Sequence, residues 1–214
     1  MKLDQTRWNP GVFIRYRADY KLGLNISLNY FRIQGADSLT ENPNRFTRNL
    51  HFRNDVFELA AVGEYYFFSQ PDVGRTGRYL LDFKAYVFAG GALFLNNPKA
   101  QYQGKWTALR SLMTEGQDEA YSRIQFSIPV GFGFFYTFAR LHRFGWSLGW
   151  RYTFTDYLDD VSGKYPDPSN LKSEDAIALS NRTNEVSNHP LATGIAKYYV
   201  PGGIRGNSDA NDSY

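Results

Sequence analysis

Apolar and polar residues alternate with a period of two along most of this chain. Such alternation predicts β-strands, because successive side chains of a strand point to opposite faces of its sheet. The clearest segment is Ser122–Phe138, where Phe135 is the one large apolar residue on an otherwise small and polar face. Its apolar face comprises Ile124, Phe126, Ile128, Val130, Phe132, Phe134, Tyr136 and Phe138.

The same pattern predicts five further strands, for six in all. Their segments are Gly11–Ala18, Leu22–Ile33, Phe52–Phe68, Tyr79–Leu95 and a stretch from Trp146 to Thr155. Several of the six are at least twice as long as the ~5–6 residues usual for strands of globular proteins. Strands of this length are typical of a wall that crosses a membrane.

The two faces of these strands differ in chemistry. One face is ring-rich, and we expect it to meet lipid through Phe126, Phe132, Phe134, Trp146, Trp150 and Tyr152. The other carries charges of both signs, which would pair inside a narrow barrel: Arg15, Arg17, Glu58, Glu64, Asp82, Lys84, Arg123 and Arg151. An eight-stranded barrel is just filled by its side chains, so these charges predict a plug and not a conducting channel. The alternative is a soluble β-sandwich whose charges lie on a solvated outer face.

Connections between the strands alternate in length. The short ones are Asp19–Lys21, Gln70–Arg78 and Ala139–Phe144, and the long ones are Gln34–His51, Asn96–Tyr121 and the segment from Asp159 onward. Short periplasmic turns and long extracellular loops are typical of outer-membrane barrels. The pattern therefore predicts an all-β protein, an antiparallel up-and-down transmembrane β-barrel located in the outer membrane.

Bacterial barrels of this class have an even number of strands, with eight as the usual minimum. We therefore expect residues 1–214 to be a single barrel domain with about six to seven of eight strands. The first strand, most of the last strand and a signal peptide would lie outside this sequence. The last strand would begin at Asp212–Tyr214.

Composition narrows the function classes. Aromatic residues make up 17% of the chain, which suits both strands and the membrane interface. The chain has no Cys, which excludes disulfides and thiolate metal sites. The net charge of +3 comes from interspersed charges, which argues against a nucleic-acid partner.

Several loop phrases carry a family resemblance. They are RNLHFRNDVF (48–57), FAGGALFLNNPKAQYQGKWTALRSLMTEGQ (88–117), YSRIQFSIPVGFGF (121–134), TFTDYLDDVSGKYPDP (153–168) and RGNSDANDSY (205–214). From about residue 8 to residue 214 the chain resembles a family of Bacteroidetes outer-membrane β-barrels that includes PorG of the type IX secretion system. The resemblance implies a barrel that associates with the periplasmic PorK/PorN ring of the secretion and gliding machinery.

Candidate chemistry is sparse. His51 with Asp37, Ser38 or Asp55 could form a catalytic group at the extracellular rim, but no spacing supports it. Asp156, Asp159 and Asp160 are candidate Ca²⁺ ligands, although a loop anchor that caps turns and pairs with an Arg is the favoured interpretation. We predict no catalytic residues and no cofactor. In the last segment, 170–182 predicts a short helix over the barrel mouth, with Ser173 as its cap.

The leading hypothesis is a non-enzymatic outer-membrane barrel that anchors the type IX secretion and gliding complex. Its partners would be outer-membrane lipids and periplasmic ring proteins similar to PorK and PorN. The alternatives are an outer-membrane enzyme, an orphan barrel with an extracellular binding role and a soluble β-sandwich binding module.

Overall fold

The computed structural model describes residues 8–75, 77–78, 80–195, 199–208 and 211–214. Tyr79, which the sequence places on the apolar face of a strand, lies outside the described residues.

The described chain is built around one antiparallel sheet. Its strands are β1 Gly11–Arg17, β2 Leu22–Ala36, β3 His51–Gln70, β4 Leu81–Leu95, β5 Lys99–Tyr102, β6 Lys105–Ala108, β7 Ile124–Phe138 and β8 His142–Thr153. The long strands follow one another in the order β1-β2-β3-β4-β7-β8. All six predicted strands are present, so the prediction of an all-β, antiparallel, up-and-down fold is confirmed. β1 and β8 lie at the two ends of this path and are not paired with each other in the described chain, which leaves the sheet open.

A short hairpin was missed by the sequence reasoning. β5 and β6 lie within the predicted loop Asn96–Tyr121, and β5 also pairs with β3 through Arg53 and Lys99. Their turn places Gln103 at φ 47° and Gly104 at φ 78°. Two consecutive positive φ angles mark the tight turn that best fits a twisted hairpin. The Gln-Gly pair between Tyr102 and Lys105 was the available signal.

Two short α-helices lie in the long loops. α1 is Pro43–Arg48, inside a segment predicted as loop, and the Asn42 side chain caps it by accepting from the Asn44 and Arg45 N–H groups. α2 is Glu174–Ser180, with the predicted Ser173 cap accepting from the Ala176 N–H at 3.1 Å. It is shorter than the predicted 170–182, because Pro168–Asn170 forms a separate 3₁₀ turn. Neither helix, nor any other in the described chain, has the length and apolar character to cross a membrane.

The six long strands, which we call the wall, bury charged side chains and expose apolar ones, the reverse of a sheet in a soluble protein. Along β3, Val56, Glu58, Ala60, Val62, Glu64 and Tyr66 are buried. The residues between them are exposed, with Phe57 50% and Leu59 53% accessible. Glu58 and Glu64 are 0% and 2% exposed, which contradicts a solvated outer face for these charges. We call the buried side of the long strands the inner face and the other side the outer face.

The outer face carries the predicted rings. Phe126, Phe132, Trp146, Trp150 and Tyr152 are 43–58% exposed. Phe134 shares this face but is half-buried, because its ring packs 5.9 Å from the rings of both Phe83 and Trp146. The outer face is thus apolar and ring-rich over both β7 and β8.

The connections separate into two ends. The described residues of the connections 18–21, 71–75, 77–78, 80 and 139–141 lie at one end, which we call the short-turn end. Residues 37–50, 96–123, 154–195, 199–208 and 211 lie at the other end and form what we call the loop cap. After the cap, the Tyr214 N–H donates to the Arg151 carbonyl at 3.1 Å and Ser213 bridges to Tyr152. This antiparallel pairing lies at the position where the sequence predicts a further strand to begin.

Candidate functional site: the polar interior and the loop cap

Two buried glutamates organise the charges on the inner face. Glu64 on β3 pairs with Arg15 on β1, with an Nη2–Oε1 distance of 2.9 Å. The same carboxylate accepts from the Asn25 amide at 3.1 Å and from the Tyr66 hydroxyl. A second cluster forms around Glu58, which pairs with Arg151 at 3.2 Å and accepts from the Tyr214 hydroxyl at 3.0 Å.

Four of the eight charges predicted for the inner face therefore form ion pairs between strands. Arg15 of β1 pairs with Glu64 of β3, and Arg151 of β8 pairs with Glu58 of β3. A buried carboxylate needs such a partner and further hydrogen bonds to offset the loss of its hydration. A cavity of about 290 Å³ lies beside the two clusters, and its lining includes Arg15, Glu64 and Arg151 together with the rings of Tyr86 and Phe88. The interior is polar there, with balanced charge.

The other four predicted charges behave differently. Arg17, Asp82 and Lys84 lie on the inner face near the short-turn end and are half-buried. Arg123 does not belong to the interior, so this prediction was wrong. It precedes β7 and is exposed in the loop cap, because the strand begins only at Ile124 and the wall ends there.

Aromatic rings fill the inner face between these two groups of charges. Tyr66, Tyr86 and Phe135 form a buried cluster with ring centroids 5.5–6.1 Å apart. Phe135 is the residue that interrupts the polar face of its strand in the sequence. A Cβ at Gly133 would lie 2.7 Å from the Tyr86 ring, so the absence of a side chain there leaves room for this ring. We call this cluster the aromatic septum.

The loop cap has its own buried charge cluster. The Arg205 side chain is 2% exposed and donates to a Glu115 oxygen at 2.9 Å and to the Ser180 carbonyl at 3.2 Å. Glu115 also accepts from the Ser162 and Gly163 N–H groups at 2.9 and 3.0 Å. This network joins three separate parts of the cap, because Glu115 precedes β7 whereas Ser162 and Arg205 follow β8.

Further polar contacts join parts of the cap to one another and to the wall. Arg48 of α1 donates to both oxygens of Asp37, at 2.7 and 2.9 Å, and to the Arg205 carbonyl at 2.9 Å. Buried Asn54 of β3 donates to Asn96 at 2.6 Å and to the Leu158 carbonyl at 3.1 Å. A small apolar core of Ala100, Leu109 and Leu179 holds α2 against β5. The predicted helix thus lies within a packed cap.

The three candidate Ca²⁺ ligands point to separate partners. Asp159 caps a turn by accepting from the Val161 N–H at 3.0 Å, whereas Asp160 accepts from Thr114 and Tyr121 and pairs with Arg205 at 3.9 Å. Asp156 is half-buried, and its contacts include Ser162. No group of three acidic or imidazole side chains suited to a metal ion occurs in the described parts of the chain. The contacts agree with the loop-anchor interpretation.

Burial raises the pKa values of all three acids, Asp156, Asp159 and Asp160. The pKa of Asp159 rises to about 7 because of burial and the nearby Asp212 charge, against a smaller opposing effect of Arg48 and Arg205. The pKa of Asp160 rises to about 6, again through burial, although Arg205 and the Thr114 hydroxyl favour its charged form. The cap therefore contains carboxyls that take up protons near neutral pH.

His51 does not assemble a catalytic group with its predicted partners. Its Nε2 accepts from the Gln101 N–H at 2.9 Å, and its Nδ1 lies 3.0 Å from Arg182 Nη1. Asp37 is bound by Arg48, and Asp55 accepts from Arg32 at 2.6 Å. Each acid thus has an arginine partner where a catalytic arrangement would need the imidazole.

Two neighbouring clefts open on the cap near His51. One of about 690 Å³ is lined by Phe52, Trp106, Gln101 and other residues, and the other, of about 650 Å³, is lined by Asp37, Arg48 and Arg205 among others. They share the wall formed by Gly35, Ala36 and Leu50–Phe52. Volumes in this range suit small ligands.

Comparison with protein-family models assigns the chain to one family. The model described as a domain of unknown function, DUF6089, matches residues 6–186, and the chain belongs to that family. No curated protein matches the chain. No solved structure matches it either.

Proposed function

We propose that this protein is a non-enzymatic outer-membrane β-barrel that anchors the type IX secretion and gliding complex. The long strands form a wall embedded in outer-membrane lipid. The loop cap faces the cell exterior, and the short-turn end faces the periplasm and its ring proteins, which are similar to PorK and PorN.

The reversed burial of the wall carries the membrane part of this proposal. Rings exposed on the outer face suit a lipid environment, whereas large exposed apolar patches are rare on soluble monomers. Glu58 and Glu64 are buried on the inner face with arginine partners. Short turns at one end and long loops at the other agree with the usual orientation of such barrels.

The secretion part rests on the family resemblance of the loop phrases. These phrases lie largely in the loop cap and the adjoining strand ends, where alternation alone would not constrain the sequence. Particular residues are needed in the cap because its packing depends on specific contacts such as the Arg205–Glu115 ion pair. A structural role agrees with His51 and its candidate acids being held by other partners.

Membrane insertion can be tested on the full-length protein with a matched pair of variants. Leu59 on the outer face and Ile204 in the cap are 53% and 77% exposed. In lipid vesicles, we expect Leu59→Arg to lower the free energy of unfolding by about 2–4 kcal/mol, as arginine does at a bilayer midplane. Ile204→Arg should change it by less than about 0.5 kcal/mol, like other surface substitutions.

The outcome separates the two environments. If water covers the outer face, both variants leave the free energy of unfolding nearly unchanged. A monomer that is soluble without detergent would also contradict the proposal. A barrel instead requires detergent and gives a heat-modifiable band in gel electrophoresis. Co-purification of the full-length protein with the periplasmic ring proteins, and a secretion defect on deletion, test the partner assignment. Absence of both results would remove the secretion role and leave the barrel.

A second candidate is an orphan barrel with an extracellular binding role. The cleft of about 690 Å³ beside Trp106 and Phe52 favours it, because an aromatic-lined cleft can hold a small ligand. Two results together would favour this candidate over the first: normal secretion in a deletion strain, and specific binding of a small ligand to cells that Trp106→Ala abolishes.

A further inference from the structure

Three basic side chains gather on the inner face at the short-turn end. Arg17 ends β1, Lys84 lies near the start of β4, and Arg143 lies near the start of β8. Arg17 and Arg143 lie close enough to repel the Lys84 ammonium group electrostatically, and Asp82 is close enough to attract it. We call Arg17, Lys84 and Arg143 the basic mouth.

The basic mouth lies against the aromatic septum. The Arg17 guanidinium carbon is 5.4 Å from the centre of the Tyr66 ring, and that of Arg143 is 5.1 Å from the centre of the Phe135 ring. These two rings are themselves 6.0 Å apart, and Lys84 is the register partner of Phe135. The rings therefore form a floor that holds the three cations together through cation–π contacts and packing.

Positive charge in the basic mouth is not balanced as it is deeper inside. Arg15 and Arg151 each have a buried glutamate, but no carboxylate in the described chain forms an ion pair with Arg17, Lys84 or Arg143. The Asp82 carboxylate accepts instead from the Asp72 N–H at 3.2 Å. Arg17 donates to the Tyr20 carbonyl, and its Nε is buried without a partner among the described residues.

The basic mouth is open to ligands from one side. Arg143 is exposed, and Arg17 and Lys84 are half-buried. The short connections at this end contrast with the long cap at the other, and the septum lies on the side toward Glu64. An anionic group can therefore approach from the short-turn end and meet two guanidinium groups, which bind carboxylates in a forked geometry.

We propose that the basic mouth binds carboxylates of an acidic segment in a periplasmic protein. The orientation of the short-turn end toward the periplasm rests on the function proposed above. A protein segment fits better than a lipid headgroup, because the three cations lie on the inner face and the wall separates them from lipid on the outer face. The segment would supply carboxylates in addition to Asp82, the acid that lies near Lys84.

The proposal can be tested on the full-length protein in detergent with a fluorescein-labelled hexaglutamate peptide. We expect saturable binding by fluorescence anisotropy that weakens with added salt, because exposed charges are screened. Arg143→Gln and Lys84→Gln should each weaken binding about fivefold, the equivalent of about 1 kcal/mol for an ion pair. Arg123→Gln, the same charge change at the exposed cap end, is the matched control and should leave binding unchanged.

Folding is checked on the same samples by the heat-modifiable band. Arg143 is exposed, so its variant tests the site even if a change at Lys84 prevents folding. A folded wild-type barrel that does not bind the peptide, or binds it equally well without Arg143, overturns the inference and leaves the proposed function standing. Binding to phosphatidylglycerol vesicles is measured as a second probe. The inference is overturned if Arg143→Gln weakens vesicle binding relative to Arg123→Gln while the two variants bind the peptide equally. Loss of the heat-modifiable band in the wild type overturns the proposed function itself.

Discussion

The wall and the loop cap both bury carboxylates, but they neutralise them differently. In the wall, Glu58 and Glu64 each receive an arginine from another strand. In the cap, Glu115 and Asp160 share Arg205, and Asp159 lies close to the charge of Asp212. Around Glu58 and Glu64 the wall is balanced pair by pair, whereas acids outnumber their bases in this part of the cap.

This difference separates two physical roles. Removing one member of a balanced pair in the wall leaves the other buried without a partner. An acid held near other acids binds protons more readily in the folded state, which makes that region sensitive to pH. The stability of the wall thus depends on complete ion pairs, and the cap is the part whose stability depends on pH.

The largest effect should come from breaking a pair in the wall. Glu64→Leu leaves the Arg15 guanidinium buried without its carboxylate, and we expect the free energy of unfolding to fall by about 3–5 kcal/mol. Urea unfolding in lipid vesicles measures this change. Tyr65→Leu, on the next residue and the outer face, should change it by less than about 1 kcal/mol.

A double variant sharpens this first prediction. Glu64→Leu combined with Arg15→Met removes both charges, and most of the lost stability should return because no charge is left unpaired. If Glu64→Leu costs no more than Tyr65→Leu, the inner face is hydrated and the contrast with the outer face is wrong.

An intermediate effect should follow from adding one methyl group to either face. Gly133→Ala places a Cβ 2.7 Å from the Tyr86 ring, and such overpacking costs about 1–3 kcal/mol. At Gly63 on the outer face, the nearest atom to an added Cβ is the Ala89 carbonyl oxygen at 3.8 Å. Gly63→Ala should therefore change the free energy of unfolding by less than about 0.5 kcal/mol. Equal losses in the two variants would contradict a tightly packed septum.

The smallest effect concerns protons in the cap. The pKa of Asp159 is about 7 in the folded chain, above its ordinary value of 3.8, so the folded state binds a proton more tightly than the unfolded state. The cap is destabilised in full above about pH 7; this destabilisation decreases as the pH falls below 7 and is gone only below the ordinary pKa of 3.8. We expect amide hydrogen exchange in residues 156–163, corrected for intrinsic rates, to be about fourfold slower at pH 6.5 than at pH 8.

Asp159→Asn should remove most of this pH dependence and slow exchange at pH 8. Asp118→Asn removes the same charge from an exposed loop position and serves as the control. An unchanged pH profile in Asp159→Asn would assign the dependence to another group, with Asp160 the next candidate.

Strand positions and faces could be predicted because they depend on local alternation. Each long strand has one face that is apolar, and even the exception, Phe135, is informative because its ring lies in the septum. The β5–β6 hairpin and α1 were missed because their strands and helix are short, although Gln103-Gly104 and Asn42-Pro43 were local signals of a turn and a helix start.

Pairings could not be predicted, because they depend on register and on contacts between distant segments. Arg15 meets Glu64 only because β2 separates and aligns β1 and β3. Arg205 and Glu115 are far apart in sequence and have no periodic pattern that relates them. Arg123 has the correct parity for the inner face, but alternation does not show where a strand stops.

The aromatic septum has a consequence for permeability. In the closed barrel proposed above, the ring cluster of Tyr66, Tyr86 and Phe135 would lie across the lumen with charged side chains on both sides, and it would hinder water and ions from passing between those sides. If the protein lies in the outer membrane as proposed, many copies of it would add little electrical leak.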